Sequence, residues 1–168
     1  MKNRVVVIAA LVLAFLAVGS TEASAQFRTF MFVPDIEGDA TDAQHVNWIE
    51  ILALSQGVGT VKKGVACSDL SVIKFLDRSG PPLWVAAAMG QVFPEVHIEV
   101  VRTVGGVQLL IYDIRLSNAR VTSTQTSGSS ELPTESVAFS YQSVTLTFNK
   151  QTPTGGIIPG IPQTIHCQ

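Results

Sequence analysis

From Gln26 onward, apolar positions recur mostly at intervals of two. "FRTFMFVPDI" places Phe30 and Phe32 among aliphatic neighbours up to Pro34, "VNWIEILALSQGV" alternates well enough to be half buried, and "DLSVIKFLD" reads the same way. Strand patterns return in "EVHIEVVRTV", "VQLLIYDIRLSNARVTSTQT" and "ESVAFSYQSVTLTF". Gly105 and Gly106 stand between two alternating runs, where a two-residue hairpin needs residues that accept positive φ. One segment departs from this period. "SGPPLWVAAAMG" opens on prolines, where a missing N–H costs nothing, continues through alanines and stops at Gly90. The pattern predicts a mainly β, antiparallel architecture with one short helix, closed or nearly closed into a barrel. After Lys150, "QTPTGGIIPGIPQTIHCQ" reads as an extended Pro/Gly-rich tail.

The first 25 residues carry a different pattern. Lys2 and Arg4 precede the apolar run "VVVIAALVLAFLAVG", and Ala23-Ser24-Ala25 supplies the small residues of a cleavage site. This is the three-part form of a secretory signal peptide, cleaved after Ala25, and the run is shorter than the ~20 residues that span a bilayer. The expected organisation is a signal peptide over 1–25, a β-domain over 26–150 and a tail over 151–168. The expected location is the periplasm or the exterior.

Composition narrows the partners. The chain has 168 residues, 46% hydrophobic and 14% charged, which suits one globular domain. With 11 basic against 13 acidic residues, no field favours nucleic acid or an anionic membrane. Export also colours the reading of Cys67 and Cys167. An even pair in an oxidising compartment predicts a disulfide, with two unpaired thiols as the alternative.

Candidate chemistry is sparse. "DIEGDATDAQH" gathers Asp35, Glu37, Asp39, Asp42 and His45 in eleven residues. Oxygen ligands at alternate positions suit calcium, but Ala40 and Val46 stand where an EF-hand needs Gly and Glu. Asp42 and His45 could form an acid/base pair; without a third group nearby, a histidine bonded within its own turn is the simpler reading. In "GVGTVKKG", Gly59 and Gly64 have phosphate-loop spacing, but Val65-Ala66 replace the required Lys and Ser/Thr, leaving a hairpin loop with Lys62 and Lys63. His97 and Glu99 share one face of a strand, yet two residues do not make a metal site. His166 beside Cys167 falls short of a zinc set. No nucleophile elbow occurs. The expectation is a protein that is not an enzyme and uses no cofactor or metal.

Read in order, these segments resemble the Hcp family, the hemolysin-coregulated tube proteins of type VI secretion. The resemblance rests on "FMFVPDIEGDATDAQHVNWIEILALSQGV", "SDLSVIKFLDRSGPPLWVAAAMGQ", "VVRTVGG" and "VTSTQTSGSSELPTESVAFSYQSVTLTF". It covers about Phe30 to Lys150. It implies a two-sheet antiparallel β-barrel with one short α-helix, self-assembling as a homo-hexameric ring. Stacked rings would form a tube carrying effector proteins in the lumen. By position, Ser55 matches the lumen-facing residue that touches cargo. The segment holding Gly57, Gly59, Lys62, Lys63 and Gly64 matches the loop that reaches the next ring. "DIEGDATDAQH" becomes the turn between the first two strands, with Gly38 permitting the bend and Asp39 and Asp42 placed for a subunit contact. The signal peptide, the short loop and the tail with Cys167 depart from the family pattern. The alternative is a secreted monomeric β-barrel that binds a ligand or partner.

Overall fold

The computed structural model describes residues 26–62, 64–128 and 132–167. The expected signal peptide and Lys63 therefore lie outside the described residues. In chain order the elements are β1 (Gln26–Phe32), β2 (Ile49–Ile51), β3 (Ala53–Ser55), β4 (Val58–Val61), β5 (Gly64–Cys67), β6 (Leu70–Phe75) and α1 (Gly80–Met89). They continue as β7 (Val92–Val104), β8 (Val107–Ser127), β9 (Thr134–Ser140), β10 (Ser143–Phe148), β11 (Lys150–Gln151), β12 (Ile157–Ile158) and β13 (Gln163–His166). The chain is mainly β with a single helix among the described residues.

The long hairpin β7–β8 organises the sheet. Gly105 and Gly106 turn it at φ 57° and 80°, the left-handed pair that matches strand twist. β7 pairs on its other edge with β1, and β1 with β2. The 21 residues of β8 outrun any one partner, so its second edge carries β10 along Tyr112–Ser117 and β9 along Arg120–Ser127. β9 then pairs with β6, and β6 with β3. This path starts at β2 and ends at β3, two successive pieces of one stretch broken at Leu52. The hydrogen-bonded ladder is thus not a closed ring of strands; its two ends are joined by the chain itself. Leu52 N–H bonds to Ile73 O at 2.7 Å as the stretch changes partners.

Alternation fills the interior. Met31, Ile49, Val72, Ile98, Leu116 and Phe139 pack into one core, and α1 adds Leu83 and Ala86. The helix begins with Pro81 and Pro82 in its first turn and ends at Gly90, whose φ of 62° lets its N–H reach Ala86 O and Ala87 O. Its docking depends on a buried ion cluster. Lys74 on β6 is fully enclosed, with Nζ 2.7 Å from Asp77 Oδ1 and 2.6 Å from Glu135 Oε2. The second contact is too poorly aligned for a hydrogen bond. Asp77 Oδ1 also accepts from Ser79 N–H at 2.9 Å and Ser79 Oγ–H at 2.5 Å. A Cβ at residue 80 would stand 2.8 Å from both Glu135 carboxylate oxygens, so a larger residue there would push that carboxylate away from Lys74.

Two segments that read as loop and tail form pairs. β4 and β5 make a two-stranded ribbon, its base held by Ser68 N–H and Oγ–H to Gly57 O at 2.9 and 3.0 Å. β13 returns to the sheet and pairs with β10. Cys67 at the end of β5 and Cys167 just past β13 are disulfide-bonded, their Cα atoms 5.5 Å apart across 100 residues of chain.

Two stability outcomes are expected. Lys74→Ala leaves two buried carboxylates facing each other and should cost about 3–5 kcal/mol in urea unfolding; a loss below about 1 kcal/mol would show that the cluster is not held by its ammonium. Cys67→Ser with Cys167→Ser reopens a 100-residue loop and should cost up to ~5 kcal/mol in the chain-entropy model, read as a lower denaturation midpoint, with reductant reproducing the loss in the parent chain.

Candidate functional site

The acidic stretch between β1 and β2 folds back over the outer face of the β1–β7–β8 sheet. Gly38 N–H bonds to Asn47 O at 2.8 Å, and Ala40 N–H to Trp48 O at 3.0 Å, so the stretch doubles back on itself. Gly38 is required by close approach rather than by a bend, since a Cβ would collide with Trp48 O and the Ile49 backbone. The left-handed positions are Asp35 and Asn47, both at φ 62°.

The carboxylates do not converge on one point. Glu37 and Asp39 turn to Arg78 beside the helix, with Arg78 Nε 2.5 Å from Asp39 Oδ1 and Arg78 Nη1 3.3 Å from Glu37 Oε2. The Arg78 guanidinium and backbone N–H hold the Asp39 carboxyl below the usual range, and Asp39 in turn raises Arg78. Asp42 turns inward. It accepts from Arg28 Nη1 at 3.3 Å, Gln108 Nε2 at 3.1 Å and Gln44 N–H at 3.1 Å, and meets His45 Nδ1 at 2.8 Å. Burial opposes its ionisation, but hydrogen bonds from His45, Gln44 and Gln108 outweigh that and keep its carboxyl low. Arg28 is itself raised, chiefly by its hydrogen bond to Glu50.

His45 is the keystone of this face. It is 1% exposed, stacked on Phe30 at 4.2 Å, with the Trp48 edge at 4.9 Å. Its second nitrogen, Nε2, lies 2.9 Å from Glu99 Oε2 on β7, the third group that sequence proximity does not supply. With both nitrogens facing carboxylates of the chain itself and the ring enclosed, His45 presents neither nitrogen to a substrate. The arrangement suits a structural bridge, not a general base.

Next to it, His97, Glu99 and Asp113 converge. His97 Nε2 is 3.2 Å from Glu99 Oε1 and 2.5 Å from Asp113 Oδ1. Arg115 Nε donates to Asp113 Oδ2 at 3.1 Å, which raises the guanidinium against the cost of its partial burial. Asp113 is the residue that sequence reasoning missed. Counting back from the Gly105-Gly106 turn sets Glu99 opposite Tyr112; a bulge between Val100 and Val101 shifts the register by one and brings Asp113 there instead.

The remaining predicted residues sit apart from this cluster. Ser55 is exposed on β3, across from Ser71. Gly57 opens the β4–β5 ribbon, Gly59 and Gly64 lie in its strands, and Lys62 is exposed at its tip. His166 is exposed on β13. Large apolar side chains remain uncovered: Ile73 and Phe75 on the outer face of β6, Leu76 beyond them, and Trp84, Val85 and Met89 on α1. Among the described residues no helix is long and apolar enough to cross a membrane.

The family described as type VI secretion system effector, Hcp, matches residues 30–148. The chain belongs to the Hcp family. It is similar to protein hcp1 of Pseudomonas aeruginosa, 28% identical over 138 residues that span 75% of this chain and 85% of the relative. Among solved structures, one described as a type six secretion system protein superposes with a TM-score of 0.76 at 27% identity, covering 84% of this chain and 96% of the other. Hcp1 from Salmonella typhimurium shares the fold, with a TM-score of 0.69 at 24% identity over 79% and 91% of the two chains. Of the segments that carry the resemblance, "KFLD" and "PTESV" meet in space, as Lys74, Asp77 and Glu135.

Asp42 makes a prediction about acid. Its lowered carboxyl stabilises the fold above its unfolded value of about 3.9, and that contribution is lost as pH falls through the lower native value. Thermal unfolding of Asp42→Asn should therefore vary less between about pH 4 and pH 2 than that of the parent chain. An unchanged acid limb would remove Asp42 from the account.

Proposed function

We propose that this Hcp protein is a non-catalytic structural subunit that assembles into hexameric rings, which stack into a tube able to carry effector proteins. The observation that carries this reading is the family match across residues 30–148 together with near-complete coverage of a solved type six secretion system protein. The surface supports it. A monomer that leaves Ile73, Phe75, Trp84, Val85 and Met89 between 44% and 77% uncovered presents apolar area of the kind that protein partners bury. Head-to-tail contacts between identical subunits close into a ring when the rotation allows.

In this reading Ser55, exposed on β3, faces the lumen, and the β4–β5 ribbon with Gly57, Gly59, Lys62, Lys63 and Gly64 reaches the adjoining ring. Asp39 keeps half its side chain in solvent beside Arg78 and so can also meet a neighbour's cation. Asp42 is enclosed by its own chain and contributes to a subunit contact by fixing the shape of the loop. The signal peptide over 1–25 assigns the mature chain, from Gln26, to the periplasm or the exterior, the compartment that suits a disulfide.

The alternative, a monomeric ligand-binding barrel, would use the cavity between Gln56, Tyr112, Leu146 and Ile165. At about 180 Å³ it is smaller than the roughly 300–1,000 Å³ of small-molecule pockets, and the larger depressions of about 440 and 490 Å³ along the β4–β5 ribbon lie wide open to solvent. Light scattering and negative-stain imaging of the mature protein should find six-subunit rings without added ligand. A strict monomer at high protein concentration would overturn the assembly reading.

A further inference from the structure

The outer face of the β7–β8 hairpin contains a charge arrangement that assembly does not explain. Glu99 and Asp113 stand directly opposite each other in the ladder, a placement that destabilises a sheet unless a cation lies between them. The group that faces both is His97 Nε2, at 3.2 Å from Glu99 Oε1 and 2.5 Å from Asp113 Oδ1. All three ligand atoms lie within 4.8 Å of one another.

The other oxygen of each carboxylate is held elsewhere. Glu99 Oε2 meets His45 Nε2 at 2.9 Å, and Asp113 Oδ2 accepts from Arg115 Nε at 3.1 Å. These partners turn Oε1 and Oδ1 toward the same point, as outer groups do around metal ligands. The Trp48 ring, 5.3 Å from the His97 ring, forms an apolar wall on one side. All three ligands project from paired strands, which fix their positions better than a loop would. Their side chains are 12%, 19% and 14% exposed, so the site is recessed but reachable.

We propose that His97, Glu99 and Asp113 bind one transition-metal dication of the zinc class, with water completing the coordination. The ion takes the place of the Nε2 proton and neutralises the opposed carboxylates. Ligands at about 2.0–2.2 Å around a tetrahedral ion are separated by about 3.3 Å, close to the His97–Glu99 spacing, and Asp113 needs to retreat by less than about 1 Å. An imidazole with only two carboxylates suits zinc or cobalt better than calcium, which takes about six to eight oxygens.

The test uses the mature, tag-free protein, stripped with chelator and titrated with zinc chloride by calorimetry, with cobalt as a spectroscopic substitute. One equivalent per chain should bind, and cobalt should give visible absorption bands. His97→Gln should abolish both, Arg115→Gln should weaken zinc affinity about 10- to 100-fold by releasing Asp113, and His166→Gln, on distant β13, should change neither. If His97→Gln fails to fold, the histidine side-chain NMR signals of the parent chain decide: zinc should shift His97 and leave His166 in place. Absence of zinc uptake, unaltered binding by folded His97→Gln, or an unmoved His97 signal would overturn the site.

Discussion

The start of the helix and the paired strands β6 and β9 all meet at one buried ammonium. Lys74 has no access to water, so its charge is tolerable only with Asp77 and Glu135 beside it. Asp77 in turn fixes Ser79 at the start of α1, and Glu135 fills the space that Gly80 leaves. Replacing the cluster by apolar groups of equal volume could leave stability intact, since ion pairs of this kind seldom add much net energy. What the cluster supplies is registration: it ties the start of α1 to β6 and β9, while the body of the helix packs against β8.

A second enclosed polar centre does similar work on the opposite side of the sheet. His45 bridges Asp42 in the connecting loop to Glu99 on β7, under Phe30 and Trp48. The loop is thereby a lid on the sheet instead of a free crossing between strands. Its charges divide into an inward set around Asp42 and an outward set around Asp39, so one short acidic stretch serves both packing and surface.

Much of this was legible in order and type. Period-two alternation marked the long strands, Gly105-Gly106 marked the hairpin, and prolines followed by Gly90 bounded the helix. The resemblance to Hcp rested on segments that the fold brings together. What could not be read was anything that depends on lateral register. The bulge at Val100/Val101 moves Asp113 rather than Tyr112 opposite Glu99, and no local signal announces it. The break at Leu52 hides inside an apolar run: Ile49 and Ile51 face the core before it and Leu54 after it, a change of phase that the unbroken apolar string from Ile51 to Leu54 masks. His45 read as a histidine bonded within its own turn, and its contact with Asp42 is that bond; its burial could not be read, because it is decided by Phe30 and Glu99 from β1 and β7 and by Trp48 as the loop folds back.

The disulfide between Cys67 and Cys167 has a mechanical meaning. It joins the root of the β4–β5 ribbon to the end of β13, which is itself laced to β10. A pull on that ribbon would otherwise be borne by the backbone hydrogen bonds around Gly57 and Ser68, which can peel one at a time. With the cystine in place, tension passes through a covalent bond into a strand loaded in shear along four paired residues. The ribbon can then serve as a fixed strut whose root does not yield.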